Sequence, residues 1–208
     1  MIKKIIFDLD NTLIDFPKDY HKEYDDILNK YNLNITSKDL YSIIGKYESC
    51  GENTYYDKEK MLELINKEYK LNLKVDFIDY MLNNISKLVR PLNNEIKDTL
   101  EYLSSKYELV VLTNWFTECQ SKRLEKAGIL KYFKKIYGTD LIPMKPSKES
   151  FMSVIGNLKL EECLMVGDNL EVDIKVPYEL GMNVYHLNKL GTSKYPTIKK
   201  IEDLKEML

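Results

Sequence analysis

Short apolar runs that stop abruptly at polar residues punctuate this chain. Lys4–Phe7 is rich in isoleucine and ends at Asp8. Residues 109–112 repeat the pattern and end at Thr113-Asn114, and residues 163–166 repeat it again and end at Gly167-Asp168-Asn169. A weaker fourth run covers 183–187. Runs that are continuous rather than alternating predict strands of a parallel sheet covered on both faces. Helical spacing lies between them. In 95–106, Ile96, Leu100 and Leu103 share a side; 117–127 stops at Gly128; in 147–157, Phe151, Val154 and Ile155 share a side. Residues 170–180 stop at Gly181, and a last helix is expected from about residue 198 to the end. Strands alternating with helices from Arg90 onward predict an α/β fold, a doubly wound parallel sheet.

Residues 16–89 interrupt that alternation. They hold no convincing strand and four helical patterns, at 18–31, 37–47, 57–69 and 76–88. So long a stretch exceeds any ordinary loop. The expected organisation is therefore a core of residues 1–15 and 90–208, with an inserted helical subdomain at 16–89.

Composition removes several classes of function. The 208 residues are 44% hydrophobic and 31% charged, ordinary globular usage. Net charge is -2, from 31 basic and 33 acidic residues, so bulk charge attracts neither nucleic acid nor a membrane. Cys50, Cys119 and Cys163 are scattered and form no CxxC pair, which argues against a disulfide framework or a zinc site. Cys163, inside an apolar run, reads as a buried thiol. The N-terminal apolar stretch is too short for a signal peptide or a spanning helix, and a cytoplasmic enzyme is expected.

Chemistry gathers where the strands end. In an open α/β sheet, ligands bind outside the carboxyl ends of the strands. The expected topology brings Asp8, Asp10, Thr113, Asn114, Asp168 and Asn169 to one edge. Asp8 and Asp10 flank a single leucine, and two carboxylates that close repel unless a cation or a shared proton relieves them. Mg2+, a hard dication with oxygen ligands that also bridges to phosphate, answers that need. Asp168 offers a further ligand, and Asp173, five residues on, can orient a metal-bound water. Any one aspartate after a strand is more often a helix cap or turn residue; the set is what points to catalysis.

The two carboxylates have different tasks. One can attack phosphorus and become an aspartyl-phosphate. The other can protonate the leaving alkoxide and then activate water. The charge on the transferred group needs neutralising, for which Thr113 offers a hydroxyl, Asn114 and Leu9 backbone amides, and Lys145 an ammonium. Alone, Lys145 before Pro146-Ser147 reads as a solvated residue at a helix start; the company of the other motifs raises it.

Four short motifs, in order, resemble the haloacid dehalogenase superfamily. They are Phe7-Asp8-Leu9-Asp10-Asn11-Thr12-Leu13, Val111-Leu112-Thr113-Asn114, Lys145-Pro146, and Val166-Gly167-Asp168-Asn169 with Asp173. The resemblance covers roughly 2–14 and 90–190. It implies a magnesium-dependent phosphatase with Asp8 as nucleophile and metal ligand. It implies that Asp10 is general acid and base with its backbone carbonyl on the metal. Asp168 would be the remaining protein ligand with Asp173 supporting it, and Thr113 and Lys145 would hold the phosphoryl group. The inserted helices resemble the family's cap, which selects substrates. Two positions depart from the pattern. Lys148 stands where a proline is common, and Pro177 interrupts a helix that usually carries small residues, which predicts a kink.

Rival readings remain within and outside this fold. Dehalogenation needs no proton for the halide, so Asp10 favours phosphoryl chemistry. A phosphomutase needs a shielding cap motif that 16–89 does not display, and phosphonate cleavage needs a cap lysine marked by context. A catalytically idle binding protein would have lost Asp8, Asp10 or Lys145. For the substrate, a small phosphate ester, the stretch from Leu112 to Phe133 looks similar to the family's nucleotidase-like branch and favours a nucleoside monophosphate, with a sugar phosphate as alternative. Trp115-Phe116 can face the cap. Lys46, Tyr47, Asn53, Tyr55 and Tyr56 form a polar-aromatic region within reach of substrate. His21 and His186 look incidental.

Overall fold

In a computed structural model, which describes residues 1–49 and 55–208, six strands form one parallel sheet in the order β3-β2-β1-β4-β5-β6. The strands are β1 (Lys4–Phe7), β2 (Glu108–Leu112), β3 (Lys135–Tyr137), β4 (Cys163–Gly167), β5 (Asn183–Leu187) and β6 (Thr197–Ile198). The doubly wound parallel sheet expected from the sequence is the fold observed. Strand order reverses beside β1, the position where such sheets open a crevice. All four residues of β1 are buried, because helices cover both faces. Ile5, Phe7, Leu109, Val111, Leu164 and Val166 pack on one face, and Ile6, Val110, Leu112, Cys163 and Met165 on the other.

The covering helices are α5 (Asn94–Ser104), α6 (Thr117–Lys126), α7 (Lys148–Ile155), α8 (Lys175–Glu179) and α9 (Leu204–Met207). Asn93 caps α5 by accepting from the Ile96 amide, and Ser147 caps α7 by accepting from Ser150. Two expectations need correction. The final segment is not one helix from residue 198. It runs as β6, a 3-10 turn at Ile201–Asp203 and the short α9. The expected helix over 170–180 begins as a π-helical turn, Leu170–Ile174, before α8. Pro177 lies in the first turn of α8, where its missing N–H costs little. The wider turn ahead of it relieves the clash its ring makes with a preceding carbonyl.

Between β1 and α5 lie four helices, α1 (His21–Lys30), α2 (Ser37–Ser49), α3 (Lys58–Tyr69) and α4 (Val75–Ile85). Their apolar sides share a single cluster, including Ile27, Leu40, Ile65, Phe77 and Met81. Trp115 and Phe116, just ahead of α6, and Cys119 in its first turn join that cluster. Backbone also crosses from the helical unit to the sheet core, with the Tyr56 amide donating to the Thr139 carbonyl at 2.9 Å. Among the described residues, no helix is long and apolar enough to cross a membrane. Cys119 and Cys163 are free and buried; burial pushes the Cys119 thiol up to about 12 and the Cys163 thiol to about 11, so both stay protonated. Cys50 lies outside the described residues.

Candidate active site

The carboxyl ends of β1, β2 and β4 lie side by side, and the polar residues after them meet. The Asp8 amide donates to the Val166 carbonyl at 2.9 Å, extending the β1–β4 ladder by one bond. Beyond Asp8 the chain turns at once. The Leu9 carbonyl accepts from the amides of Leu13 at 2.9 Å and Ile14 at 3.0 Å. Asn11 takes φ 62°, a left-handed conformation that asparagine tolerates better than most residues. Thr12, in the middle of this turn, reaches the β4 loop by donating to Asp168 Oδ1 at 3.3 Å and accepting from the Asp168 amide at 3.1 Å.

Lys145 is not a solvated lysine. Its side chain is 1% exposed, with Nζ 2.8 Å from Asp8 Oδ1 and 2.6 Å from Asp173 Oδ1. Asn114 fixes the backbone there, since its amide donates to the Lys145 carbonyl and its oxygen accepts from the Lys145 amide, both at 2.8 Å. The Asn114 side chain is thus spent on holding Lys145. Burial alone lowers the Lys145 pKa, but the charges of Asp173 and Asp8 outweigh it and hold the ammonium well above its ordinary value. Burial pushes Asp173 up, against the pull of Lys145. Burial and then repulsion from Asp8 raise Asp168.

Oxygen atoms of Asp8, Asp168 and Asp173 all lie within 4.8 Å of one another. An all-carboxylate set this tight suits a hard dication, and a bound cation lowers the pKa values that burial raises. Asp173 Oδ2 also accepts from the Asn169 amide at 3.1 Å, bracing the loop that carries Asp168. That arrangement depends on Gly167, where a Cβ would fall 2.5 Å from atoms of Asp173. Gly167→Ala is accordingly expected to cost about 1–3 kcal/mol through overpacking and to depress activity by displacing Asp173. Thermal unfolding and a steady-state assay check it; a variant as stable and active as the parent would contradict the close fit. His186 is not incidental in position. Its Nε2 donates to the Asp168 carbonyl at 3.0 Å from a buried site on β5. His21 pairs with Ser37 away from this edge.

Asp10 turns away from the carboxylate cluster, towards α6. Its Oδ2 accepts from Gln120 Nε2 at 3.0 Å, and its Oδ1 lies 2.6 Å from Arg123 Nη1. Gln120 also donates to Thr113 Oγ1 at 2.9 Å, which leaves the threonine proton free to be given elsewhere. The sequence reading missed Gln120 and Arg123. Their signal was present: both fall on the side of α6 that carries Cys119 and Leu124, a stripe otherwise reserved for buried residues.

A cavity of about 260 Å³ opens beside Asp10. Asn11, Phe16, Asn114, Trp115 and Arg123 line it from the core side and the connecting segment, and Tyr24, Tyr41, Ile44, Gly45 and Ile85 from the helices. Burial holds the Tyr24 phenol well above its usual value, so it presents a neutral hydroxyl. Of the polar-aromatic region proposed for substrate contact, Tyr47 and Tyr56 are buried in the helical cluster, Lys46 pairs with Glu68, and Tyr55 is exposed. Asn53 lies outside the described residues. Trp115 both packs edge-on against Tyr56 and lines the cavity.

The family model for haloacid dehalogenase-like hydrolases matches residues 5–187. The chain belongs to that family. It is 29% identical to the glyceraldehyde 3-phosphate phosphatase of Methanocaldococcus jannaschii, over 88% of this chain and 83% of the relative. It is 23% identical to the pyrimidine 5'-nucleotidase YjjG of Escherichia coli, over 98% and 96%. The crystal structure of the putative HAD-hydrolase YfnB from Bacillus subtilis, bound to magnesium, superposes with a TM-score of 0.75 at 23% identity, covering 100% of this chain and 98% of that one. This haloacid dehalogenase-like hydrolase is a phosphoric monoester hydrolase.

Proposed function

We propose that the enzyme is a magnesium-dependent phosphatase that hydrolyses a small phosphorylated metabolite through a phosphorylated Asp8. The observation that carries this reading is Lys145, buried between Asp8 and Asp173, with Asp168 in the same cluster. Asp8 and Asp168 would hold the metal together with the Asp10 backbone carbonyl, and Asp173 would support it. The ion supplies charge neutralisation for the phosphoryl oxygens when bound. Asp8 attacks phosphorus. Asp10, on the cavity side, protonates the leaving oxygen and afterwards takes a proton from the attacking water. Thr113 donates its hydroxyl to the phosphoryl group, and Lys145, in contact with Asp8 at 2.8 Å, offsets the charge that develops. Residues 16–89 act as a cap over the core of 1–15 and 90–208, excluding water during the first half-reaction.

Metal dependence has a testable pH signature. Magnesium binds carboxylate, and Asp168 holds its proton above the ordinary carboxylate range. The apparent magnesium affinity is therefore expected to fall as pH is lowered towards the carboxylate range, and to begin falling at a higher pH than an ordinary carboxylate site would, as protons compete for the site. A magnesium titration of activity at a series of pH values checks this, with reversal of chelator inhibition as control. Equal affinities, or full activity in chelator, would contradict the metal reading.

For the substrate we favour a nucleoside monophosphate, because Phe16, Tyr41 and Trp115 give the cavity ring surfaces on which a base can stack. The nucleotidase relative acts in the same direction. A triose or other sugar phosphate is the second reading, favoured by a cavity at the small end of ligand sites and by the glyceraldehyde 3-phosphate relative. A panel of phosphorylated metabolites decides. Preference for a nucleoside monophosphate supports the first reading; a flat response to nucleotides with one sugar phosphate preferred overturns it.

A further inference from the structure

We infer that Arg123 is a positioning residue that sets the Asp10 carboxylate and ties it to the segment returning from the helical unit. Its side chain is 1% exposed, although guanidinium is among the groups least often buried. Nε donates to the Leu88 carbonyl at 3.0 Å, and Nη1 donates to Gln120 Oε1 at 2.9 Å. Nη1 also lies 2.6 Å from Asp10 Oδ1, at ion-pair distance without hydrogen-bond alignment. The guanidinium carbon stands 5.8 Å from the centre of the Phe16 ring. Phe16 follows β1 on the way into the helical unit, and Leu88 leaves it behind α4. Both connections to that unit therefore meet at one planar cation.

Gln120 completes the arrangement. It is fully buried, and its amide reaches both Asp10 Oδ2 and Thr113 Oγ1. Each Asp10 oxygen thus faces a group on α6. Lysine cannot reproduce this, because only the guanidinium fork points donors in two fixed directions at once. Any shift of the helical unit that moves the Leu88 carbonyl acts on the same fork that borders Asp10. Arg123 is too buried to be a surface ion pair and touches no atom of the carboxylate cluster. Stapling α6 to Leu88 would need only Nε. The contact with Asp10 is what a purely structural arginine does not require.

The inference rests on Asp10 as proton donor, so the test separates the two. kcat/KM is measured on an alkyl phosphate and on p-nitrophenyl phosphate, whose leaving group departs with little help from an acid. Arg123→Met, Arg123→Lys and Asp10→Asn are compared with the parent, with melting temperatures alongside. Arg123→Met is expected to lose about tenfold or more on the alkyl ester and under about threefold on the aryl ester, a fraction of what general acid catalysis contributes. Arg123→Lys should show the same skew at smaller size, and it alone decides if the methionine variant does not fold. An even loss on both esters, or none, overturns the positioning role. An even loss in Asp10→Asn removes the proton-donor reading and this inference with it. A skew in Asp10→Asn but not at Arg123 overturns the inference alone.

Discussion

Asparagine in place of Asp8 is expected to abolish turnover, even of an activated aryl phosphate, by roughly a thousandfold or more, the scale on which removing a covalent nucleophile acts. The fold should survive. Asparagine has the same shape, its oxygen can still accept from Lys145 Nζ, now 2.8 Å away, and the amide that bonds Val166 is untouched. Loss of activity with an intact melting curve therefore isolates chemistry from structure. The measurement is a steady-state assay beside thermal unfolding. Substantial residual turnover in a folded variant would remove Asp8 from the nucleophile role.

Lys145→Met is expected to have the second large effect, and here stability falls with activity. The variant leaves the carboxylates of Asp8 and Asp173 facing each other with the cation gone. Breaking a buried ion pair from one side costs about 3–5 kcal/mol. The sign with pH follows from Asp173. Burial already raises its carboxyl above the ordinary range, and losing Lys145 raises it further. A carboxyl raised in the folded state favours folding while protonated, and that contribution is lost as pH climbs from its unfolded value through its folded one. The melting temperature deficit against the parent should thus be larger at about pH 8 than at about pH 5. Unfolding curves at both values check it, and a deficit independent of pH would contradict the assignment of the cost to unpaired carboxylates.

The strands that carry chemistry were legible because they are central. β1, β2 and β4 are buried on both faces, so their sequences run apolar without alternation until the first site residue. The edge strands were not legible. β3 is three residues long and partly exposed, and β6 has two residues. Neither is long enough to show a period, and their pairing is decided by neighbours distant in sequence. The helix over 170–180 was legible as helical, but Pro177 and the turn that carries Asp173 reshape its first half. At the site, the motifs taken together pointed to Asp8, Lys145, Asp168 and Asp173, and the structure brings them together. It did not point to Gln120 and Arg123. They sit on an apolar helix stripe, where a polar side chain is easily read as a solvated residue just off the face. Side-chain direction was the missing information, and it also replaced the expected substrate-facing residues of α2 with Tyr41, Ile44 and Gly45.

The central claim is that the phosphoryl group passes through Asp8. An acid quench of Asp10→Asn reacting with an aryl phosphate and magnesium tests it directly. The aryl ester needs little proton donation, whereas the second step loses its base, so the intermediate should accumulate. Peptide mapping by mass spectrometry is predicted to find one phosphoryl group, on the peptide containing Asp8, labile to hydroxylamine and absent when Asp8→Asn is added. A phosphoryl group on any other peptide, or unmodified enzyme during demonstrable turnover, would contradict the account.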